Sequence, residues 1–115
     1  MSLKTRRAEY WRLIPNFQHY AASSWGRIAH VRYNRELVPF YATDDRRAVR
    51  LYTRGSFVTK YVHQCVAMAF LKGYRWGMPV SHLNGDNWDN HLINLRVGDM
   101  ALPVYTEPEW HFEED

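Results

Sequence analysis

Apolar and polar residues alternate with a period of two along much of the first sixty positions, and the chain reads as β-rich there. "EYWRLIPNFQHY" carries a turn signal at Pro15-Asn16, which predicts a short strand, a turn and an extended piece. In "WGRIAHVRY", Gly26 is punctuation. Ile28 and His30 then fall on one face and Ala29 and Val31 on the other, as in a strand. "NRELVPFYATDDRR" is turn-rich, with Pro39 and Asp44-Asp45. "AVRLYTRGSFVTKYVH" predicts a β-hairpin turning at Gly55-Ser56, with Val49, Leu51 and Thr53 alternating against Arg50, Tyr52 and Arg54. The period then changes. "VHQCVAMAFL" places Val62, Val66 and Phe70 four residues apart with Ala69 beside them, one buried face of a helix that Gly73 and Gly77 end. "MPVSHL" predicts a strand ending at His82, "NGDNWDNH" a polar loop and "INLRV" a return strand, before a loose acidic tail, "TEPEWHFEED". Strands first, then a helix and two short strands, place the chain in the α+β class.

Composition narrows the picture. With 115 residues, 46% of them hydrophobic, the chain makes one domain with a real core. The single cysteine, Cys65, rules out a disulfide framework within the chain and fits a reducing cytoplasm. No stretch reads as a signal peptide or reaches membrane-spanning length, so no membrane partner is expected. The net charge of +3 conceals an asymmetry. Residues 1–75 hold fourteen of the fifteen Lys and Arg against four acids, a net of +10, whereas residues 76–115 carry −7. Twelve of the fifteen basic residues are Arg. The guanidinium fork binds phosphate and stacks on bases, which favours nucleic acid as partner over a merely solvated surface.

Candidate chemistry gathers in "VSHLNGDNWDNHLINLRV", Val80 to Val97. Hydrolysis of a phosphodiester needs a base to activate water, a cation to meet the charge developing on phosphorus, and groups that hold both. His82 stands where a strand meets a polar loop, a rigid support for a reactive imidazole near neutral pH. Asn94, twelve residues on, can brace that loop through its amide, and Asn84-Gly85-Asp86 reads as a turn.

These stretches together resemble the HNH endonuclease family. The match is a Val-His pair leading into a Val-Ala-x-Ala-Phe helix, then His-x-x-Gly-Asp, an Asn pair and Asn-Leu. Upstream, "YWRLIPNFQHYAASSWGRI" is similar to the small DNA-binding module that often precedes HNH in phage and homing nucleases. The resemblance covers about residues 9–97. It implies a basic arm (1–8), a β-rich nuclease-associated module (9–54), a degenerate ββα-metal HNH hairpin with a short or missing final helix (55–103), and an acidic tail (104–115). By resemblance, His82 is the general base and Asn94 the Asn that shapes the loop and orients it. His63 is a recurring His before the helix, which supports the site, touches DNA or simply packs.

The resemblance also implies Mg²⁺ or Mn²⁺, and here the sequence departs from the pattern. Ser81 stands where the family usually has an Asp or Asn metal ligand, and the register of the second ligand lands on Pro103. Ser81, Asp86 and Asp99 are weak replacement candidates, with Asp89 and His91 behind them.

Arg27, Arg32, Arg50, Arg54 and Lys60 alternate on the predicted strands and would track phosphates if the strands share a face; Arg46-Arg47 in a turn would reach a groove. Cys65 is expected to pack in the helix, and His82 with His91 lacks the partners of a zinc site. Trp88 in the site loop is a candidate wedge against a base or a protein. Three functions are compatible with these residues. One is a phage-type HNH endonuclease or nickase acting on double-stranded DNA. Another is a silent descendant that keeps DNA affinity. The last is an interaction protein that grips a host or phage protein, motivated by the Trp110-containing tail. No small-molecule cofactor is expected.

Overall fold

The computed structural model describes residues 8–42, 44–100 and 109–113. Pro15 and Asn16 (φ 73°) turn β1 (Trp11–Ile14) into β2 (Phe17–Ser23), Pro first and a left-handed residue second, as a type II turn needs. β3 (Ile28–His30) and β4 (Arg35–Glu36) follow, giving an antiparallel sheet in the order β1-β2-β3-β4. The register pairs Arg12 with Ala22 and Ala22 with Ile28, so these side chains share one face, which packs inward.

A second antiparallel sheet runs β5 (Phe40–Tyr41), β6 (Arg47–Thr53), β7 (Ser56–Tyr61). Thr53 pairs with Ser56, so the hairpin turns on Arg54-Gly55, one residue earlier than expected. Both central residues are left-handed (φ 50° and 85°), as a two-residue type I′ loop demands, and Arg54 adopts that conformation as well as the glycine. Val49, Leu51, Val58 and Lys60 share the inner face; Arg50, Tyr52, Phe57 and Thr59 share the outer one. Arg50 and Lys60 therefore point to opposite sides. The Lys60 ammonium lies 4.5 Å from the Trp76 ring centroid, so no single stripe runs through both residues.

β7 leads directly into α1 (Val62–Phe70), whose Val62, Val66 and Phe70 are buried as their spacing predicts. His63, Cys65 and Ala67 are buried too, because α1 is wedged between both sheets and the loop that follows. The Cys65 thiol is pushed up to about 12 by complete burial, so it packs as an unreactive side chain. One core joins Ile14, Ile28, Leu51, Val66, Leu92 and Leu95, spanning residues on either side of position 54, itself at the tip of the β6–β7 hairpin.

The expected strands around the site loop contract to a two-residue pair, β8 (Ser81–His82) with β9 (Leu95–Arg96). Ile93 and Asn94, expected to open the return strand, instead belong to a 3-10 turn over Leu92–Asn94. Here the Leu92 N–H donates to the Ser24 carbonyl at 2.8 Å instead of to a neighbouring strand.

The tail also departs from expectation over residues 109–113, which dock. The Glu109 N–H donates to the Trp11 carbonyl, its carboxylate takes the Arg12 guanidinium and the Leu13 N–H, and Asn34 exchanges hydrogen bonds with Glu113 in both directions. Trp110 packs edge-on against Trp11 at 5.2 Å, closing a satellite core over Ala21 and Ala29. Trp110 is thus a partly buried side chain packed on Trp11. The basic arm before Ala8 and the Pro103 position lie outside the described residues. Among the described residues, α1 is the one α-helix, and no helix is long and apolar enough to cross a membrane.

Candidate functional site

β8 delivers His82 to the mouth of the loop, half-buried, with its Nε2 2.8 Å from Asn90 Oδ1. An amide oxygen only accepts, so Nε2–H is the donor. The neutral ring then carries its lone pair on Nδ1, the nitrogen left to act as a base.

Asn90 is buried, and its place is fixed from the far module. Gly26 sits at φ 90°, and a Cβ there would come within 2.8 Å of the Asn90 carbonyl carbon and oxygen. Close approach of this backbone to the site loop is possible only with glycine.

Asn94 is the loop's brace. Its Nδ2 donates to Asn84 Oδ1 (3.0 Å) and to the Asp89 carbonyl (2.8 Å), and its Oδ1 accepts the Asn84 N–H (3.0 Å). Asn84 in turn donates to Asp89 and accepts the Asp86 N–H, while Asp86 accepts the Trp88 N–H, an Asx turn. Partial burial raises the Asp89 carboxyl, but donors from His91 (backbone and ring) and Asn84 outweigh it and hold the group below the usual range. The amides singled out in the sequence thus serve the backbone of one loop, and that loop aims one imidazole.

Behind His82 stands His63. The ring centroids are 5.3 Å apart at 71°, and Tyr61 stacks on His63 with centroids 5.3 Å apart at 18°. Burial lowers the His63 pKa to about 4, with His82 and Arg46 adding to the shift, and its Nδ1 has no hydrogen-bond partner. At 2% exposure the ring has no surface to offer DNA; it packs behind the site.

The basic candidates separate into two groups. Arg27 is committed inward: Nε donates to Glu9 at 2.8 Å, Nη1 to Glu36 at 3.0 Å, and the guanidinium lies over Trp11 and Phe112. That role is structural, as is the seat of Lys60 over Trp76. Arg32, Arg50 and Arg54 are exposed, Arg46 lies 3.8 Å from Asp44, and Arg47 sits over the Trp88 ring at 5.7 Å. Trp88 itself is 43% exposed, stacks near Tyr41 at 5.0 Å and donates its indole N–H to the Asp45 carbonyl. It ties the site loop to the turn before β6.

A magnesium-class cation takes oxygen ligands, carboxylates above all. Ser81 presents a hydroxyl, Asp86 is engaged in its Asx turn, and Asp99 is exposed on the turn after β9. Among the described residues no three His, Cys, Asp or Glu gather to hold a metal. The described side chains thus supply no carboxylate cluster for such a cation, and the Ser81 hydroxyl on β8 is the oxygen candidate next to His82 in the chain. Asn90 is the functional residue that sequence reasoning missed: nothing in the spacing separates it from Asn84 and Asn87, and only the fold brings it to His82.

A strand-rich α+β domain with one helix and a histidine on a short β-pair is the architecture of an HNH nuclease domain. No protein-family model matches the chain. DNA endonuclease I-HmuI of Bacillus phage SP01 is 30% identical to it over 87 residues, 75% of this chain and 50% of the relative. A solved structure described as DNA binding and cleavage by the HNH homing endonuclease I-HmuI superposes with a TM-score of 0.67, over the same shares of the two chains. The chain is therefore homologous to the HNH homing endonucleases, and it spans about half the length of the relative it matches.

Proposed function

We propose that this chain is a DNA-binding protein of the HNH nuclease lineage whose His82 acts as general base on a phosphodiester of double-stranded DNA. The observation that carries the reading is the hydrogen bond from His82 Nε2 to the buried Asn90 amide, which leaves Nδ1 as the basic atom. In this scheme Nδ1 takes a proton from water as its oxygen attacks phosphorus. The imidazolium that forms keeps its Nε2–H on Asn90, and Asn94 holds the loop in register through the step. Arg46, which adds to the lowering of the His63 pKa, and Arg96, paired with Ser81 across β8 and β9, are cations the chain itself brings to this side of the fold. Arg50 and Arg54 on the second sheet hold the duplex by its phosphates.

A second reading, a silent descendant that binds DNA without cutting it, is favoured by the hydroxyl of Ser81 at a position where the resemblance calls for a metal-binding Asp or Asn. Nicking of supercoiled plasmid with added Mg²⁺ or Mn²⁺ separates the two. The nuclease reading expects nicked circles from the wild type and none from His82→Ala. Duplex binding by the wild type, with no nicking in either ion, would establish the silent descendant instead.

A further inference from the structure

We infer that the chain carries a second nucleic-acid site, a stacking groove for one unpaired nucleotide of a DNA strand, between the β3–β4 turn and the tip of the β6–β7 hairpin. The inference rests on the DNA-binding reading above and names the part of the substrate that it leaves open.

The groove encloses about 510 Å³. Its walls include His30 and Tyr33 on one side and Tyr52 and Phe57 on the other, with Arg32 and Arg35 among the lining residues. The rings are arranged as surfaces: His30 and Tyr33 lie 4.7 Å apart at 34°, Tyr52 and Phe57 5.1 Å apart at 68°. The two sides are joined by the Tyr52 N–H donating to the Tyr20 hydroxyl at 3.0 Å. Tyr33 and Phe57 are each 65% exposed and Tyr52 48%, a large outlay of aromatic surface to water. These rings lie outside both core clusters.

The chemistry of the lining selects the occupant. No Asp or Glu lines the groove, whereas Arg32 and Arg35 do, so the ligand is anionic. Burial lowers the His30 pKa, with His19, Arg32 and Arg35 adding to the shift, so the ring presents a neutral π-face. Exposed aromatic rings with guanidinium groups beside them match a base and its phosphate. A base within an intact duplex has both faces covered by its neighbours, so the occupant is unpaired. The same hairpin reaches the His82 site: its Tyr61 end stacks on His63, and its other end carries Tyr52 and Phe57. Tyr61 lies four residue steps along β7 from Phe57, roughly 13 Å, about four base steps along one strand of a duplex.

The test compares a short duplex with the same duplex carrying one unpaired adenine at its centre, by fluorescence anisotropy. The wild type is expected to bind the bulged duplex about tenfold more tightly, the order expected for stacking one base. The double variant Tyr33→Ala/Phe57→Ala, which removes two exposed rings, should cut that preference below about twofold, with unchanged affinity for the intact duplex and an unchanged melting temperature. His82→Ala should keep the full preference. Equal wild-type affinity for the two probes, or a preference that survives in the double variant, overturns the groove. A preference that follows Tyr33 and Phe57 in a protein that nicks no plasmid supports the groove and rejects the nuclease reading.

Discussion

A buried imidazole with no partner for its Nδ1 is an expensive residue, and His63 is kept neutral by that burial. The consequence is a stability that depends on pH in a defined direction. His63 is lowered from 6.5 to about 4 in the fold. As pH falls below about 6.5, the unfolded chain takes up this proton and the native one does not, so native stability declines until pH reaches about 4 and then levels off. The contribution lost over that window is up to about 3 kcal/mol. Urea unfolding at pH 7 and at pH 4.5 should therefore show the wild type losing more stability than His63→Phe, which keeps a ring against Tyr61 and His82 but has no proton to gain. Parallel losses in the two proteins would mean that the His63 proton is not what the fold responds to. Because the variants are compared with each other, the titration of His30, also lowered by its surroundings, cancels.

At the scale of elements, the site is made by two parts of the chain pressed together at one glycine. Gly26 (φ 90°) meets the Asn90 backbone so closely that any Cβ would overlap it, whereas Gly55 in the hairpin turn has an equally left-handed φ of 85° and open space around it. Alanine at either position carries the backbone strain, about 1–2 kcal/mol; at position 26 it also displaces Asn90 from under His82. Gly26→Ala should thus cost at least about 1 kcal/mol more than Gly55→Ala in urea unfolding and reduce plasmid nicking, and Gly55→Ala should leave nicking unchanged. Equal costs would remove the close approach as the reason for the glycine.

This junction also marks where the sequence stops being informative. The helix was legible from Val62, Val66 and Phe70, and the β6–β7 strands from alternation, because each pattern is local and periodic. Asn94 was legible as a brace because an amide in a turn has few other uses. The Gly26–Asn90 contact was not, since it joins positions 64 apart with no periodic signal between them. Nor was the inward commitment of Arg27, which depends on Glu9 and Glu36 arriving from two other segments. Nor was the docking of residues 109–113, since Trp110 has its partner in Trp11, 99 residues earlier.

Across the whole molecule, the asymmetry of +10 against −7 is smaller in effect than in number. Arg12 of the basic half is paired with Glu109 of the acidic half, and Arg27 is held by Glu9 and Glu36, two of the four acids already counted in the +10, so neither guanidinium is left for a phosphate. Among the described residues, the candidates left on the outside for phosphate are Arg32, Arg46, Arg47, Arg50 and Arg54. Each phosphate neutralised on a duplex contributes about −0.9 to the slope of log K against log salt. If these five act, the slope is about −4 or steeper, with any contribution from the basic arm added to it. Arg50→Ala/Arg54→Ala should then flatten the slope by about 2 and lower the unfolding free energy by no more than about 1 kcal/mol, because both residues are exposed and the contact of the Arg50 guanidinium with the Phe40 ring (5.2 Å) is what the fold loses. Arg27→Ala should do the reverse. It strips Glu9 and Glu36 of their cation, lowering stability, while the slope stays where it was. A slope that responds to Arg27 and ignores Arg50 and Arg54 would move the DNA to a different face of the molecule, and with it the path by which a phosphate reaches His82.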